Sequence, residues 1–367
     1  MRILPRKLKK VNFMSSKILI YGANGYTGKL IIEEAQKQNL TFEIAGRNAE
    51  TIQNLADHYQ IAYKVFGLSD ENVVAEQIKE YKAVIHCAGP FIHTAKCMMH
   101  ACILAKVHYL DITGEIPVFE LGAKLGLKAK EAGMVLMSGC GFDVVPTDCM
   151  AAYLKNKLPD ATHLQLGFAT FGSRVSHGTA LTMIENLGRT GAVRKDGKIT
   201  PVPTAFKGQD IPFKADKSRF AMTIPWGDVS TAYYSTGIPN IETYMSTAPK
   251  TFKRMQWMDT YFKWLMKMDM VKNYLRKKVK KMPAGPNAKE LSEGYVMIWG
   301  KAWNDENKHV EARIKSPEGY KLTAMCAVEI CKRVINDASL SGYLTPTLAF
   351  GQNLLTEVSG AQFEDIS

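Results

Sequence analysis

The alternation of apolar and polar positions predicts strands and helices in regular succession between residues 16 and 157. Short apolar runs such as "KILIYG", "FEIAG" and "KAVIHCAG" are typical of buried strands. The stretches between them, such as "TGKLIIEEAQKQ", repeat their apolar residues at helical spacing. Strands that alternate with such helices indicate an α/β fold with a parallel, doubly wound sheet.

After residue 157 the pattern changes, and residues 158–320 are predicted to form a second, α+β domain with a mixed sheet. "THLQLGFATFG", "VSTAYYSTG" and "IETYMST" read as strands, and "EGYVMIWGKAW" with "HVEARIKS" predicts a hairpin. Residues 321–367 are expected to be a helical segment that packs near the first domain. Residues 1–15 are expected to be a basic, flexible extension.

A basic amphipathic helix is predicted over residues 250–281, inside the second domain. Lysines and arginines surround an apolar stripe at helical spacing, formed by Trp257, Tyr261, Trp264, Met268, Val271 and Leu275. Such a helix fits a peripheral membrane contact or a flexible cover over an apolar ligand. It also fits a face packed on its own domain or on the second subunit of a homodimer, and the pattern does not decide among these.

A glycine-rich turn follows the first predicted strand and opens the first predicted helix, in "YGANGYTGKL". Gly22 would let the chain turn tightly, Gly25 would let a pyrophosphate approach the backbone, and Gly28 would let the helix pack on the sheet. The helix N-terminus would then face the phosphates. Asn24, Tyr26 and Thr27 lie in the same turn and are counted with the candidate cofactor site. A glycine-rich turn without a ligand is the competing interpretation.

The end of the second predicted strand discriminates between the two nicotinamide dinucleotides. An NAD site usually has an acidic residue there, whereas this chain has Gly46 followed by Arg47 in "IAGRN". The planar, permanently charged guanidinium of Arg47 can bind a 2′-phosphate. The sequence therefore predicts NADP(H) as cofactor, with stacking of Arg47 on adenine as the alternative.

Polar and glycine residues follow the later strands as well. Ala88, Gly89 and Pro90 in "CAGPF" are predicted to border the nicotinamide, and Glu115 in "DITGE" follows the next strand. "SGCGFDVVPTD" follows the sixth strand and is likewise positioned for ligand contact, with capping of the next helix as the alternative for its Asp143. Ordinary turn chemistry is the alternative for all three stretches.

Charge and cysteine content exclude several classes of protein. The net charge of +12 is concentrated in residues 1–10 and 248–282, so the remaining chain is nearly neutral and no nucleic-acid-binding face is predicted. The seven cysteines form no metal-binding cluster at zinc spacing, and no metal site is expected. Their odd number favours reduced thiols and a cytoplasmic location, with peripheral membrane association left open by residues 250–281.

Together these motifs resemble the saccharopine dehydrogenase-like oxidoreductases. "YGANGYTGKL", "IAGRN", "CAGPF", "DITGE" and "GCGFDVVPTD" occur in this order, and "HGTALTMIENLGRTGAVRKDG" and "PAGPNAKE" extend the similarity. They point to the branch that includes the trans-acting enoyl reductases. The resemblance implies a Rossmann-type domain, NADP(H) as hydride carrier and a second domain that closes over the nicotinamide. It does not imply a substrate.

The residues that would carry the chemistry follow from the needs of such a reduction. A hydride reaches one atom of a C=C, C=N or C=O bond, and a proton donor must serve its neighbour. His177 in "SHGT" is the first candidate donor, and Glu115 and Arg189 are further candidates. The substrate is a small molecule, with an acyl or lipid-type compound favoured by the apolar, basic helix. A non-catalytic NADP-binding adaptor at a membrane or protein partner is the second hypothesis.

Overall fold

The computed structural model describes residues 17–366, so the predicted extension over residues 1–15 lies outside the described part of the chain. The strands are β1 (Ile18–Tyr21), β2 (Phe42–Gly46), β3 (Tyr63–Val65), β4 (Ala83–His86), β5 (His108–Asp111), β6 (Val135–Met137), β7 (His163–Phe171), β8 (Gly191–Lys195), β9 (Lys198–Val202), β10 (Gly208–Lys214), β11 (Lys217–Thr223), β12 (Asn240–Ser246), β13 (Tyr295–Trp303), β14 (His309–Pro317), β15 (Gly342–Tyr343) and β16 (Phe363–Asp365). The helices are α1 (Tyr26–Lys37), α2 (Ala49–Tyr59), α3 (Glu71–Ile78), α4 (Phe91–Ala105), α5 (Ile116–Glu131), α6 (Val145–Lys157), α7 (His177–Glu185), α8 (Asp228–Thr236), α9 (Pro249–Met266), α10 (Asp269–Val279), α11 (Ala288–Glu293), α12 (Gly319–Asn336), α13 (Pro346–Phe350) and α14 (Leu354–Ser359).

Seven of the described strands form a parallel sheet in the order β15-β6-β5-β4-β1-β2-β3. The buried apolar runs of the first domain supply its strands, and the helices between them supply the crossovers. β1 pairs with both β2 and β4, so the strand order reverses direction at β1. The predicted Rossmann-type, doubly wound sheet is confirmed. Ligands of such sheets bind beyond the carboxyl ends of the strands at this reversal.

The second sheet has the order β10-β11-β12-β7-β13-β14-β16, with β8 pairing to β12 and β9 to β8. β12 and β7 run parallel, whereas the neighbouring pairs are antiparallel. The predicted mixed sheet is therefore confirmed, including the hairpin of β13 and β14. Sequence patterns did not predict β8, β9, β10 and β16, the last of which lies in the segment 321–367 that was expected to be helical.

The two sheets share a continuous apolar core that runs through α6 and α12. Buried residues of the same cluster come from the first sheet, from these helices and from the second sheet, for example Ile20, Cys149, Ile298 and Ile330. The C-terminal part of the chain contributes to both halves, because α12 contacts α1, β15 extends the first sheet and β16 extends the second. This shared core holds the first sheet in a fixed position against the second sheet.

The stretch "VSTAYYSTG" is the helix α8 rather than the predicted strand. Its first turn is buried on all sides, from Asp228 to Ala232, and α8 packs against α6. Gly237 ends the helix in the left-handed conformation, with φ of +70°. Valine, threonine and tyrosine favour strands, but their preference is weaker than the burial of this helical turn.

Residues 250–281 form two helices rather than the single predicted one. Phe262 departs from helical geometry inside α9, and Met268 has extended backbone between α9 and α10. The turn at Gly188 lies against this break, because a Cβ there would meet the backbone of Lys263 and Lys267. Among the described residues, no helix is both long and apolar enough to cross a membrane.

Candidate active site

A cleft of about 2600 Å³ extends from the carboxyl ends of the first sheet to the second sheet. The candidate cofactor residues of the first sheet line it, namely Gly22, Asn24, Gly25, Tyr26, Thr27, Arg47, Ala88, Gly89 and Pro90. The candidate catalytic residues Glu115, His177 and Arg189 line it as well. Gly28 is buried behind the turn. The structure thus brings the predicted site residues to a single cleft, at different positions along it.

The three glycines of the first turn have different geometric roles. Gly22 has φ of +79°, and a Cβ on it would lie 2.6 Å from the Ala88 backbone nitrogen. The end of β1 and the loop after β4 can therefore lie this close together only because residue 22 is glycine. A Cβ on Gly28 would lie 2.8 Å from Ala23 Cα. Gly25 is the N-cap of α1 and has no side chain to bond the first amides. The uncapped N-terminus of α1 lines the cleft, an arrangement that suits an anion.

The tip of β2 presents a cation without a carboxylate. Gly46 ends the strand, and Arg47 is exposed at the cleft and forms no ion pair within residues 17–366. Asn48 caps α2 by accepting a hydrogen bond from the Thr51 amide at 2.9 Å. Glu43 is near the opposite end of the strand, where it pairs with Lys17. A permanently charged guanidinium therefore stands where an NAD site would have an acid.

Glu115 is held at the N-terminus of α4. Its two carboxylate oxygens accept hydrogen bonds from the amides of Phe91 and Ile92, at 2.9 and 2.8 Å. The N-cap of α4 is Pro90, which offers no side-chain cap. From the loop after β5, Glu115 thus supplies the missing cap and a negative charge at the N-terminus of α4. This stabilises the turn that contains Gly89.

Asp143 is the acid that the sequence reasoning missed. Its carboxylate packs on the tip of β5, because a Cβ on Gly114 would lie 2.7 Å from Asp143 Oδ2. It lines the cleft beside Glu115, and burial together with the Glu115 charge raises the pKa of Asp143 to about 7. The α6 N-cap is Val144 without a side-chain bond, so the alternative that Asp143 only caps this helix is wrong. Its position at a strand tip was the available signal.

A buried carboxylate, Asp111, holds the tips of β5 and β6 together. Its Oδ1 accepts hydrogen bonds from the amides of Thr113 and Gly139, and its Oδ2 accepts them from the hydroxyls of Tyr109 and Ser138. Burial raises the pKa of Asp111 to about 6. The network fixes the turns from which Glu115 and Asp143 project.

We expect Asp111→Ala to destabilise the protein by about 3–5 kcal/mol, because it leaves four buried donors without an acceptor. Asp111→Asn should cost only about 1 kcal/mol, since the Tyr109 and Ser138 hydroxyls can reverse and accept from the new amide. Urea unfolding of both variants measures the difference. A loss in Asp111→Ala as small as that expected for Asp111→Asn would show that the acceptor network contributes little.

His177 connects the start of α7 to the loop at residues 282–286. Its backbone amide donates to the Ala284 carbonyl at 2.9 Å, and its Nε2 bonds the Met282 carbonyl at 2.7 Å. The same loop receives a hydrogen bond from the Tyr26 hydroxyl at the Pro286 carbonyl, 2.7 Å away. His177 therefore helps to fix the loop against the nucleotide turn, and its Nε2 proton is used in that contact.

Arg189 is exposed at the outer part of the cleft, together with Arg219, Lys267 and Lys272. Three other arginines of the second domain have partners within the protein: Arg174 pairs with Glu290, Arg194 donates to backbone carbonyls, and Arg313 pairs with Glu364. The inner wall is apolar and contains Phe168, Met222, Ile224, Trp226 and Met245. Positively charged side chains thus surround the entrance of a cleft whose inner wall is apolar.

Residues 18–137 match the family described as the saccharopine dehydrogenase NADP-binding domain. The predicted family resemblance is confirmed. The chain is 23% identical to the saccharopine dehydrogenase-like oxidoreductase of Mus musculus, over 95% of this chain and 97% of the relative. It is 24% identical to a "Lipid droplet localized protein" of Caenorhabditis elegans, over 92% and 94%.

A shorter match links the chain to the trans-acting enoyl reductase of Mycobacterium leprae, at 28% identity over 36% of this chain and 33% of the relative. Among solved structures, the saccharopine dehydrogenase (L-Glu forming) of Saccharomyces cerevisiae superimposes with a TM-score of 0.65. It is 11% identical and covers 96% of this chain and 100% of its own. At this identity the likeness establishes the shared fold.

Proposed function

We propose that this protein is an NADP(H)-dependent oxidoreductase that reduces a C=C, C=N or C=O bond in an acyl-type substrate. One continuous cleft carries the proposal. At one end the cleft contains the glycine turn and Arg47, which forms no ion pair within the described residues. Asp143 lies at the strand tips, and the far wall of the cleft is apolar. Oxidoreductases among its relatives support the reaction class.

The residues present fit a dinucleotide with a 2′-phosphate. Gly25 and the free amides of α1 would hold the pyrophosphate, and Arg47 would hold the 2′-phosphate. Ala88, Gly89 and Pro90 would border the nicotinamide, which supplies a hydride when it is bound. The choice of NADP(H) over NAD(H) rests on Arg47 and on the missing carboxylate at the β2 tip.

Asp143 is the proposed proton donor. It is at the strand tips beside Gly114 and Glu115, and no hydrogen bond to its carboxylate forms within the described residues. Glu115 and His177, by contrast, already hold backbone groups in place. We assign these two as positioning residues, and Arg189 as a binding group for an anionic part of the substrate.

The shape and charge of the cleft define a substrate class. Apolar residues of β7, β11 and β12 favour a hydrocarbon chain, and the outer cations Arg189, Arg219 and Lys267 favour an anionic group at its end. An acyl thioester or a lipid with a charged head combines both features. A cytoplasmic enzyme that meets lipid at a membrane surface is consistent with this chemistry.

The cofactor assignment is tested by Arg47→Asp. We expect this variant to bind NADPH roughly 10- to 100-fold more weakly, because it loses a charge-assisted phosphate contact and gains repulsion, while NADH binding persists. Fluorescence titration of wild type and variant with both nucleotides measures the change. Equal loss for both nucleotides would contradict a 2′-phosphate contact. Tight NADPH binding without turnover of any enoyl-thioester, imine or carbonyl substrate would favour the adaptor hypothesis.

A further inference from the structure

Helices α9 and α10 present aromatic and methionine side chains to solvent. Trp257, Tyr261 and Trp264 of α9 are 55%, 63% and 65% exposed, and Met270 and Tyr274 of α10 are 70% and 57% exposed. No residue of α9 is buried. Large apolar side chains exposed side by side on two consecutive helices usually indicate an interaction surface.

Helix α9 is attached to its own domain by one aromatic contact near its start, between Phe252 and Phe220, and by hydrogen bonds further along. Gln256 donates to the Ala205 carbonyl at 3.0 Å, and Asp259 accepts from the Thr204 hydroxyl at 2.9 Å. Trp257 and Trp264 lie outside these contacts and are exposed. The helix is thus held to its own domain while its tryptophans remain available to a partner.

Helix α10 is attached in a similar way. Arg276 forms an ion pair with Glu185 of α7, and Lys272 donates to the Glu185 carbonyl at 3.0 Å. Val279, packed with Ala180 and Ile184, is the buried apolar anchor near its end. Met270 and Tyr274 remain exposed.

The charge of this surface defines the partner. Residues 248–282 contain eleven lysines and arginines and two aspartates. Within residues 17–366, only Lys263 and Arg276 of these cations form ion pairs. Unpaired cations that flank exposed tryptophans match a bilayer, in which anionic headgroups lie above the acyl chains and indole rings favour the boundary between them.

We propose that α9 and α10 dock this protein on an anionic membrane surface. The docking surface comprises Trp257, Tyr261, Trp264, Met270 and Tyr274 with the surrounding lysines. It adjoins the cleft, because Met255, Lys263, Lys267 and Lys272 of the same helices line the cleft entrance. Docking would place that entrance next to the lipid. The proposal requires neither nucleotide nor turnover, so it can fail separately from the proposed redox function.

Co-sedimentation of the full chain with vesicles tests the proposal. We expect binding to vesicles of phosphatidylcholine with phosphatidylserine and much weaker binding to phosphatidylcholine alone. Trp257→Ser/Trp264→Ser should lower the affinity at least ~10-fold. Lys277→Glu/Lys278→Glu should lower it roughly 100-fold, because each reversal replaces attraction by repulsion. The two tryptophans and the two lysines are exposed, so the melting temperatures of both double variants should equal that of the wild type.

Two control variants on α5 separate the surface from general effects of composition. Leu127→Ser removes an apolar side chain that is 69% exposed, and Lys124→Glu/Lys128→Glu reverses two exposed cations. Both should bind vesicles like the wild type. Unchanged binding of the α9 and α10 variants, or equal binding to both vesicle types, would overturn the proposal. A wild-type dimer that becomes monomeric in the tryptophan variant, without vesicle binding, would instead assign the surface to a second copy of the chain.

Discussion

Asp143→Asn should lower the rate of substrate reduction by about 100- to 10,000-fold, which is the usual contribution of a general acid. The amide cannot deliver the proton that the carboxyl group supplies at the β6 tip. Because Asn preserves the size of the side chain, NADPH affinity and thermal stability should change little. Absorbance of the reduced nicotinamide, followed with substrates from the enoyl-thioester, imine and carbonyl classes, measures the rate.

The pH dependence of the same reaction provides a second readout. The pKa of Asp143 is raised to about 7, so its proton is present below pH 7 and lost above it. Reduction by the wild type should therefore decline as pH rises through about 7, and the Asn variant should not show this transition. Asp210→Asn, at an exposed carboxylate near the cleft rim, should keep the wild-type profile. An unchanged rate in Asp143→Asn would assign proton delivery to another group.

Gly25→Asp should weaken NADPH binding at least ~100-fold and leave the fold intact. Aspartate is a preferred N-cap, and a Cβ at Gly25 meets only the Gly22 carbonyl oxygen, at 3.4 Å. The new carboxylate would bond the first amides of α1 itself and repel the pyrophosphate. Losing two charge-assisted contacts of about 1.5–3 kcal/mol each accounts for the effect.

The matched control for this substitution is Asn39→Asp, which adds the same charge beyond the opposite end of α1. Its NADPH affinity should equal that of the wild type in calorimetric titration. Wild-type affinity in Gly25→Asp, with an unchanged melting temperature, would show that the cofactor does not lie on the α1 N-terminus.

The first sheet could be predicted because each of its elements has a local signal. Apolar runs and helical spacing recur within short stretches, and right-handed crossovers leave few ways to arrange such strands in a parallel sheet. The strand prediction for the residues of α8 failed because their local signal differs from the structure that packing imposes. Val229 and Thr231 favour strands locally, and only packing against α6, far away in sequence, makes this stretch helical.

The candidate site was only partly visible in the sequence. Gly22, Gly25 and Arg47 follow strands directly, so their place at the cleft follows from the topology. The environment of Asp143 depends on Gly114 and Glu115, which lie in the loop after β5. Spacing along the chain does not reveal that these residues contact Asp143. Likewise, the contact of His177 Nε2 with the Met282 carbonyl joins residues 105 positions apart. Roles that depend on such contacts require the structure.

The most direct test of the proposed function is calorimetric titration of the purified wild-type protein with NADPH and with NADH. An NADP(H)-dependent oxidoreductase predicts saturable binding of NADPH that is at least ~10-fold tighter than binding of NADH, because Arg47 contacts a 2′-phosphate. Absence of binding for both nucleotides would contradict the assignment of the cleft as a cofactor site and the redox function with it.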